Sequence, residues 1–370
     1  MKSLLFVLFL FILGFQFYSV EFFITILVLS FLIFFHELGH FLAAKYLGVK
    51  VEIFSIGFGK ALYEYELKGT KYRLSALTLG GYVKLKGQDD FQIKEEKFDK
   101  DSYSALHPIQ KIFILFAGPF FNLLLAFLLY LCIAYLGVQK FAPEVGKVAE
   151  NSSAQKAGIQ TNDVIKAING VSIQSFDDIP ALLQNKPSKI LIERDGKEIE
   201  LDIIPQIGQG YNDFGQVIPK VQLGILPKGT MLSISYRGFQ SFVYAFNESI
   251  NASLLIIKGI VKLLSGELEA KNLGGILTMV DITSKAANSS FVVLLLITAL
   301  LSINLGILNL LPIPMLDGGH ILFNLYELLF GHKLGAKTFE YLSYFGMILL
   351  GGLMIFATFN DIVRFVSRLH

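Results

Sequence analysis

Apolar positions along the chain gather into four long stretches, at about residues 22–44, 112–137, 291–312 and 338–359, each near the roughly 20 residues that a helix needs to cross a bilayer. Between them the period changes. The segment 45–111 alternates apolar and polar positions in VEIFSI (51–56), ALYEYEL (61–67), YRLSAL (72–77) and YVKL (82–85). Gly57, Gly59, Gly69, Gly80 and Gly81 punctuate it, which predicts a small antiparallel sheet. Two placements of that sheet are open: its apolar face dips into the membrane where it lines a protein cavity, or the sheet lies in water. Residues 142–207 mix turn signals, short strands and balanced charge, and predict a soluble domain small enough to need support from its neighbours. From Met231 to Leu264 apolar residues recur at helical spacing among Arg237, Glu248, Asn251, Lys258 and Lys262, the pattern of an amphipathic helix at a membrane surface. A shorter apolar run at 3–18 admits three readings: a further span, a signal-like segment, or an extension of the first helix.

Composition agrees with this pattern. The 370 residues are 53% hydrophobic and 17% charged, with a mean hydropathy of +0.57, too apolar for an ordinary soluble protein. The fold class expected is a polytopic α-helical membrane protein with about four core transmembrane helices, a membrane-associated cytoplasmic sheet and one small outer domain. A net charge of +2 with no basic block argues against nucleic acid as a partner. Cys132 is the only cysteine, so there is no disulfide framework and no thiolate metal site, and it reads as a packing residue. About a dozen Lys and Arg in 45–111 place that loop in the cytoplasm by the positive-inside rule, and 138–290 then faces outward. Arg364 and Arg368 run mildly against this assignment.

Within the first apolar stretch stands His36-Glu37-Leu38-Gly39-His40. Residues four apart share a helical face, so both imidazoles can reach one metal ion while Glu37, beside them, handles a water proton. Each ionisable group near a bilayer centre costs roughly 2.5–3.5 kcal/mol on insertion scales, so such a cluster marks function rather than packing. A catalytic zinc normally takes three protein ligands and a water, so a third ligand must come from elsewhere. Asp317 is the best candidate, in Asn309-Leu310-Leu311-Pro312-Ile313-Pro314-Met315-Leu316-Asp317-Gly318-Gly319. The first and third spans both run inward, which puts His36, His40 and Asp317 at one depth, towards the cytoplasmic ends of their helices. Pro312 and Pro314 remove two backbone donors and break the helix just before Asp317. The chemistry expected is peptide-bond hydrolysis at membrane depth with one Zn2+ ion, Glu37 taking the water proton and later delivering it to the leaving amine.

Asn309, Asn304, Pro312 and Asn122 are candidates for binding substrate or stabilising the oxyanion. For Asn304 and Asn309 the other open role is an interhelical hydrogen bond. In Gly118-Pro119-Phe120-Phe121-Asn122 the small residues permit close helix approach, and Asn122 either orients a ligand or the water, or simply packs. His320 reads as a neighbour of the site or an interfacial residue; His107, His332 and His370 read as solvated.

With HELGH stand FSIGFGKAL (54–62), GGYVKL (80–85), GPFFN (118–122) and SINLGILNLLPIPMLDGGH (302–320). In this combination the chain resembles the site-2 protease family of intramembrane zinc metalloproteases, and in particular its bacterial regulator-of-sigma-E protease branch, over nearly all of 22–365. The resemblance implies zinc on His36, His40 and Asp317, Glu37 as general base, and Asn309 as a substrate-handling residue. It also implies a PDZ domain outside the membrane, and SSAQKAGIQTNDVIKAING (152–170) with ILIERDGKEIELDI (190–203) looks like one. Such a domain takes a peptide C-terminus beside an edge strand. The expected organisation is an apolar extension (1–21), a first membrane part (22–137), the PDZ domain (142–207), a connector with the amphipathic helix (208–290) and a second membrane part (291–370).

The implied setting is the bacterial cytoplasmic (inner) membrane, with the PDZ domain outside and the active site near the cytoplasm. The implied partners are membrane lipid and single-span membrane proteins such as trimmed anti-sigma factors or signal-peptide remnants. Gly274-Gly275 departs from the Gly-Pro common among relatives, and there is room for one PDZ domain where some members have two. A helical substrate hides its amides in its own hydrogen bonds, so an edge strand within 51–85 is expected to hold it unwound. A transporter predicts inverted repeats, which are not seen, and gives no reason for Glu37 beside His36. A PDZ scaffold with a vestigial site predicts loss of Glu37 or of a ligand, and all are present.

Overall fold

The computed structural model describes residues 20–88 and 99–367, so the run at 3–18 and His370 lie outside the described residues. Helices α1 (Val20–Tyr46) and α2 (Pro108–Leu136) flank a pair of long strands, β1 (Val51–Leu67) and β2 (Thr70–Leu85). Strands β3 (Val138–Phe141) to β12 (Met231–Ile234), with the short helices α3 (Ser153–Lys156) and α4 (Asp178–Leu182), occupy the middle of the chain. They are followed by α5 (Phe239–Leu264), α6 (Ile276–Ser289), α7 (Phe291–Asn309), α8 (Asp317–Phe330) and α9 (Ala336–Ser367). Among the described residues α1, α2, α7 and α9 are long and apolar enough to span a bilayer, matching the four expected stretches. The chain divides into two compact units, one made of the residues up to Leu131 with those from Val243, the other of Cys132–Phe242.

In the first unit, Val28 and Leu32 of α1 and Leu125 of α2 pack with Leu294, Leu301 and Leu305 of α7. Small residues let the backbones close up. A Cβ at Gly39 would meet the Ala117 carbonyl, and one at Gly306 would lie 3.0 Å from the Pro119 oxygen. Any larger residue at these crossings would push the helices apart.

The four strands expected between 51 and 85 are two strands, each bent. Ile53–Ile56 pairs on one side with Gly81–Lys84 and on the other with Lys71–Leu74, while Ala61–Leu67 pairs with Thr70–Ser75. Gly57 (φ 92°) and Gly59 (φ 85°) adopt backbone angles closed to most side chains, which lets β1 bend between its two halves. The sheet is fixed to α1 by Phe54, whose ring lies 5.1 Å from Phe41 and 5.8 Å from Phe34. These two residues sit one turn either side of Glu37, so the sheet is held against the same helical face.

Helix α7 stops at Asn309, short of the expected 312. Hydropathy continues past Asn309, but Pro312 and Pro314 have no N–H to extend the ladder, and the chain turns through Leu311–Leu316 before α8 begins at Asp317. Met315 in this turn adopts φ 78°, a conformation uncommon for residues other than glycine. Cys132, expected to pack, is exposed on α2. At the far end of α9, the buried Asp361 carboxylate accepts the N–H groups of Gly275 (3.0 Å) and Thr278 (3.1 Å) and the Thr278 hydroxyl (2.5 Å). It thereby caps the first turn of α6 from another helix.

The second unit has its own core, with Ile165, Ile168, Ile190, Ile192 and Leu223 fully or almost fully buried beneath a four-stranded sheet of order β6-β5-β7-β8. Here β5 is Val164–Ile168, β6 Val171–Ser172, β7 Ser188–Arg194 and β8 Lys197–Ile203. Asp163 takes a bidentate pair of bonds from Arg194, both 2.7 Å, and the Gln160 N–H at 2.7 Å. The stretch 208–230, expected as a connector, is structured. A hairpin of β9 (Gln206–Tyr211) and β10 (Val217–Gln222) leads into β11 (Ile225–Pro227), which pairs with β4 (Val145–Val148). Strand β12 pairs with β3, so Met231–Ile234 is strand and the amphipathic helix starts only at Phe239. Gly208, Gly210, Pro219 and Pro227 interrupt the alternation and hide these strands from a periodicity reading.

Replacing Asp361 by alanine leaves two backbone donors and a hydroxyl unpaired. It is expected to destabilise the first unit by about 2–4 kcal/mol, read as a lower unfolding midpoint of the detergent-solubilised protein; an unmoved midpoint contradicts the capping role.

Candidate metal centre

His36 and His40 stand one turn apart on α1, with their Nε2 atoms 3.1 Å from each other. Asp317, the first residue of α8, brings Oδ2 to 3.1 Å from His36 Nε2 and Oδ1 to 3.5 Å from His40 Nε2. One ligand atom from each of the three lies within 4.8 Å of the other two. The His40 Nδ1–H donates to the Ile114 carbonyl at 2.8 Å, which leaves the Nε2 lone pair of a neutral ring aimed at Asp317. Two imidazoles and a carboxylate meeting in this way form a donor set suited to a tetrahedral zinc ion with one position left for water or substrate.

The local sequence explains why the three can meet. A Cβ at Gly118 would strike His40 Nε2 and lie 2.9 Å from His36 Cε1, so only glycine lets α2 pass this close. Cβ atoms at Gly318 and Gly319 would run into the carbonyls of Leu310, Leu311 and Ile313, so the two glycines allow the first turn of α8 to fold back on the preceding turn. Pro119 lies inside α2, and its missing N–H takes the helical donor from the Leu115 carbonyl.

Glu37 lies beside the cluster and accepts the Val83 N–H. The Glu37 side chain also opens on a cavity of about 310 Å³, walled by the three clustered residues together with Tyr82, Val83, Ile114, Leu115, Asn309, Met315 and His320.

A family model described as peptidase family M50 matches residues 24–353, most of the chain. The chain belongs to peptidase family M50. A Campylobacter jejuni protein is 65% identical over 368 residues, covering all of both chains. A Helicobacter pylori protein is 40% identical over 351 residues, covering 93% of this chain and 99% of its own, and one from Agrobacterium fabrum is 33% identical over 364 residues, covering 92% and 95%. Each of the three carries the name "putative zinc metalloprotease". As an M50 peptidase with four helices able to span a bilayer, the chain is a zinc metalloprotease and a polytopic membrane protein.

The other residues singled out from the sequence are distributed unevenly around the M50 site. Asn309 lines the cavity, its Nδ2 3.4 Å from His36 Nε2. Asn304 and Pro312 are not among the lining residues, and Pro312 is exposed. Asn122 is fully buried behind His36, off the cavity wall. His320 lines the cavity and rests against Phe323 and Phe339, with ring centroids 5.7 and 6.1 Å away. His332 and His107 are both exposed, and the His107 Nδ1 accepts the Ile109 N–H at the start of α2. Residue-type reasoning missed Ile114, which contributes a carbonyl, and Val83, which contributes an N–H. GGYVKL was visible as a motif, but nothing in it assigns a backbone donor to Glu37.

Substituting Gly118 by alanine places a methyl group against both imidazoles. Zinc affinity, measured by competition with a chromophoric chelator, is expected to fall at least about tenfold; wild-type affinity would show that the helices have room to part.

Proposed function

We propose that His36, His40 and Asp317 hold one zinc ion and that Glu37 is the general base and acid of an intramembrane endopeptidase. The observation that carries this is the convergence of two imidazoles and a carboxylate within 3.5 Å, beside a second carboxylate that opens on the same cavity. Bound zinc supplies Lewis-acid polarisation of the scissile carbonyl and lowers the pKa of water. Glu37 takes the proton of the attacking water and passes it to the departing amine, while the Val83 N–H keeps its carboxylate in place. Asn309, on the cavity wall, donates its amide to the substrate carbonyl as negative charge develops on the oxygen.

The substrates are single-span membrane proteins, with trimmed anti-sigma factors and signal-peptide remnants as the leading classes. The enzyme sits in the bacterial cytoplasmic membrane with the catalytic centre near the cytoplasmic side. Gly81–Leu85 of β2 pairs with β1 along one side, and its other side faces Glu37. An unwound substrate adds to that edge as a further strand, which exposes its amides for attack.

Residues 142–207, completed by the strands that follow them up to β11, serve as an extracytoplasmic PDZ domain that filters substrates and takes a peptide C-terminus. Its docking edge is β11, which among the described residues pairs only with β4. Leu223 is buried before it and Gly224 turns at φ 79°. On this reading the groove lies in the stretch that the sequence presented as a connector.

Glu37→Gln, expressed beside a model single-span substrate, is expected to cut cleavage by about 10²–10⁴-fold with bound zinc unchanged; cleavage at the wild-type rate removes the proposed mechanism. In the same Glu37→Gln background, a photo-crosslinking residue at Tyr82 is expected to capture the substrate's transmembrane segment, and its failure to do so argues against strand addition at this edge.

A further inference from the structure

Asn122 is fully buried on α2 and does not reach the cavity, so its side chain cannot touch substrate. Its amide lies 3.2 Å from His36 Nδ1, the ring nitrogen opposite the one that faces Asp317. With Nδ2 in that position, the amide donates to Nδ1, and a neutral His36 must then carry its proton on Nε2, against Asp317 and His40. The amide oxygen is meanwhile buried without a partner. A half-turn of the amide exchanges two atoms of nearly the same outline. The oxygen then accepts the Nδ1 proton, and the Nε2 lone pair is presented to the cluster.

The backbone around Asn122 is held firmly enough to make this contact specific. The Ser302 hydroxyl of α7 donates to the Asn122 carbonyl at 2.7 Å, and a Cβ at Gly306 would lie 3.3 Å from the Asn122 Cβ. His40 is served in the same way by the Ile114 carbonyl. Each imidazole therefore has its own acceptor behind it, one from the main chain and one from a replaceable side chain.

We infer that Asn122 is a positioning residue whose side-chain oxygen fixes the tautomer and ring orientation of His36, so that the Nε2 lone pair is available to zinc. This rests on the reading of His36, His40 and Asp317 as the zinc ligands. Partners that orient a metal-bound histidine typically change metal affinity by about 10–100-fold when removed, and the loss expected here is of that size.

The test is zinc affinity by chelator competition on the full chain in detergent, with the absorption spectrum of the Co2+-substituted protein as a second readout that needs no activity. Asn122→Leu, which removes the acceptor, is expected to bind zinc about 10–100-fold more weakly and to alter the Co2+ bands. Asn122→Asp, which keeps an acceptor at the same place, is expected to stay within about threefold of wild type with the Co2+ bands retained. Wild-type affinity in Asn122→Leu overturns the assignment. So does a loss of tenfold or more in Asn122→Asp, and that arm stands alone if the leucine variant does not fold. His36→Ala separates the two readings: if it keeps full zinc affinity, the ligand assignment itself fails, whereas its loss alongside an unaffected Asn122→Leu overturns only the role of Asn122.

Discussion

Three polar groups that cannot tolerate hydrocarbon singly are held together here inside a bundle of apolar helices. His36, His40 and Asp317 lie within 3.5 Å of one another, and each would be costly in the membrane without the other two. Much of the surrounding structure follows from bringing them together. Two of them come from one turn of α1, but the third is nearly three hundred residues away along the chain. Their meeting therefore requires α1, α2, α7 and α8 to pack closely and to stop at the right depth.

Glycine and proline provide that control. Gly39 and Gly118 let α1 and α2 touch through their backbones, and Gly306 does the same for α7 against α2. Pro312 and Pro314 end α7, and Gly318 and Gly319 let the next helix start in contact with the turn it has just left. The carboxylate thus projects from the start of a helix, where the chain can be redirected, rather than from the middle of a span. Behind the imidazoles, the Ile114 carbonyl and the Asn122 amide occupy the remaining ring nitrogens, so the face that the two rings turn to Asp317 is set by α2 as much as by α1.

Around the cavity, the bent sheet supplies what helices cannot. A helix uses its own backbone groups internally, whereas among the described residues the outer side of Gly81–Leu85 pairs with no further strand, and the Val83 N–H reaches Glu37. Aromatic contacts from Phe34 and Phe41 to Phe54 hold that edge beside the face of α1 that carries Glu37. The second unit follows a different logic, with a sheet-based core of isoleucines and an Asp163–Arg194 pair that ties down the turn before β5.

By itself the sequence determined the four spans, the strand-rich character of 51–85, and the residues His36, Glu37, His40 and Asp317. All of these depend on local period, on residue type, or on the cost of charge in an apolar run, and each can be read over a short window. The end of α7, the strands in 206–234, the carbonyl behind His40 and the burial of Asn122 away from the cavity were decided only by the tertiary structure. Glycine and proline interrupt the alternation of the small strands, a backbone carbonyl has no residue type to announce it, and the direction in which an asparagine points depends on which helices pack around it. Residue chemistry named the groups that could bind a metal; helix packing set which atoms of those groups face one another.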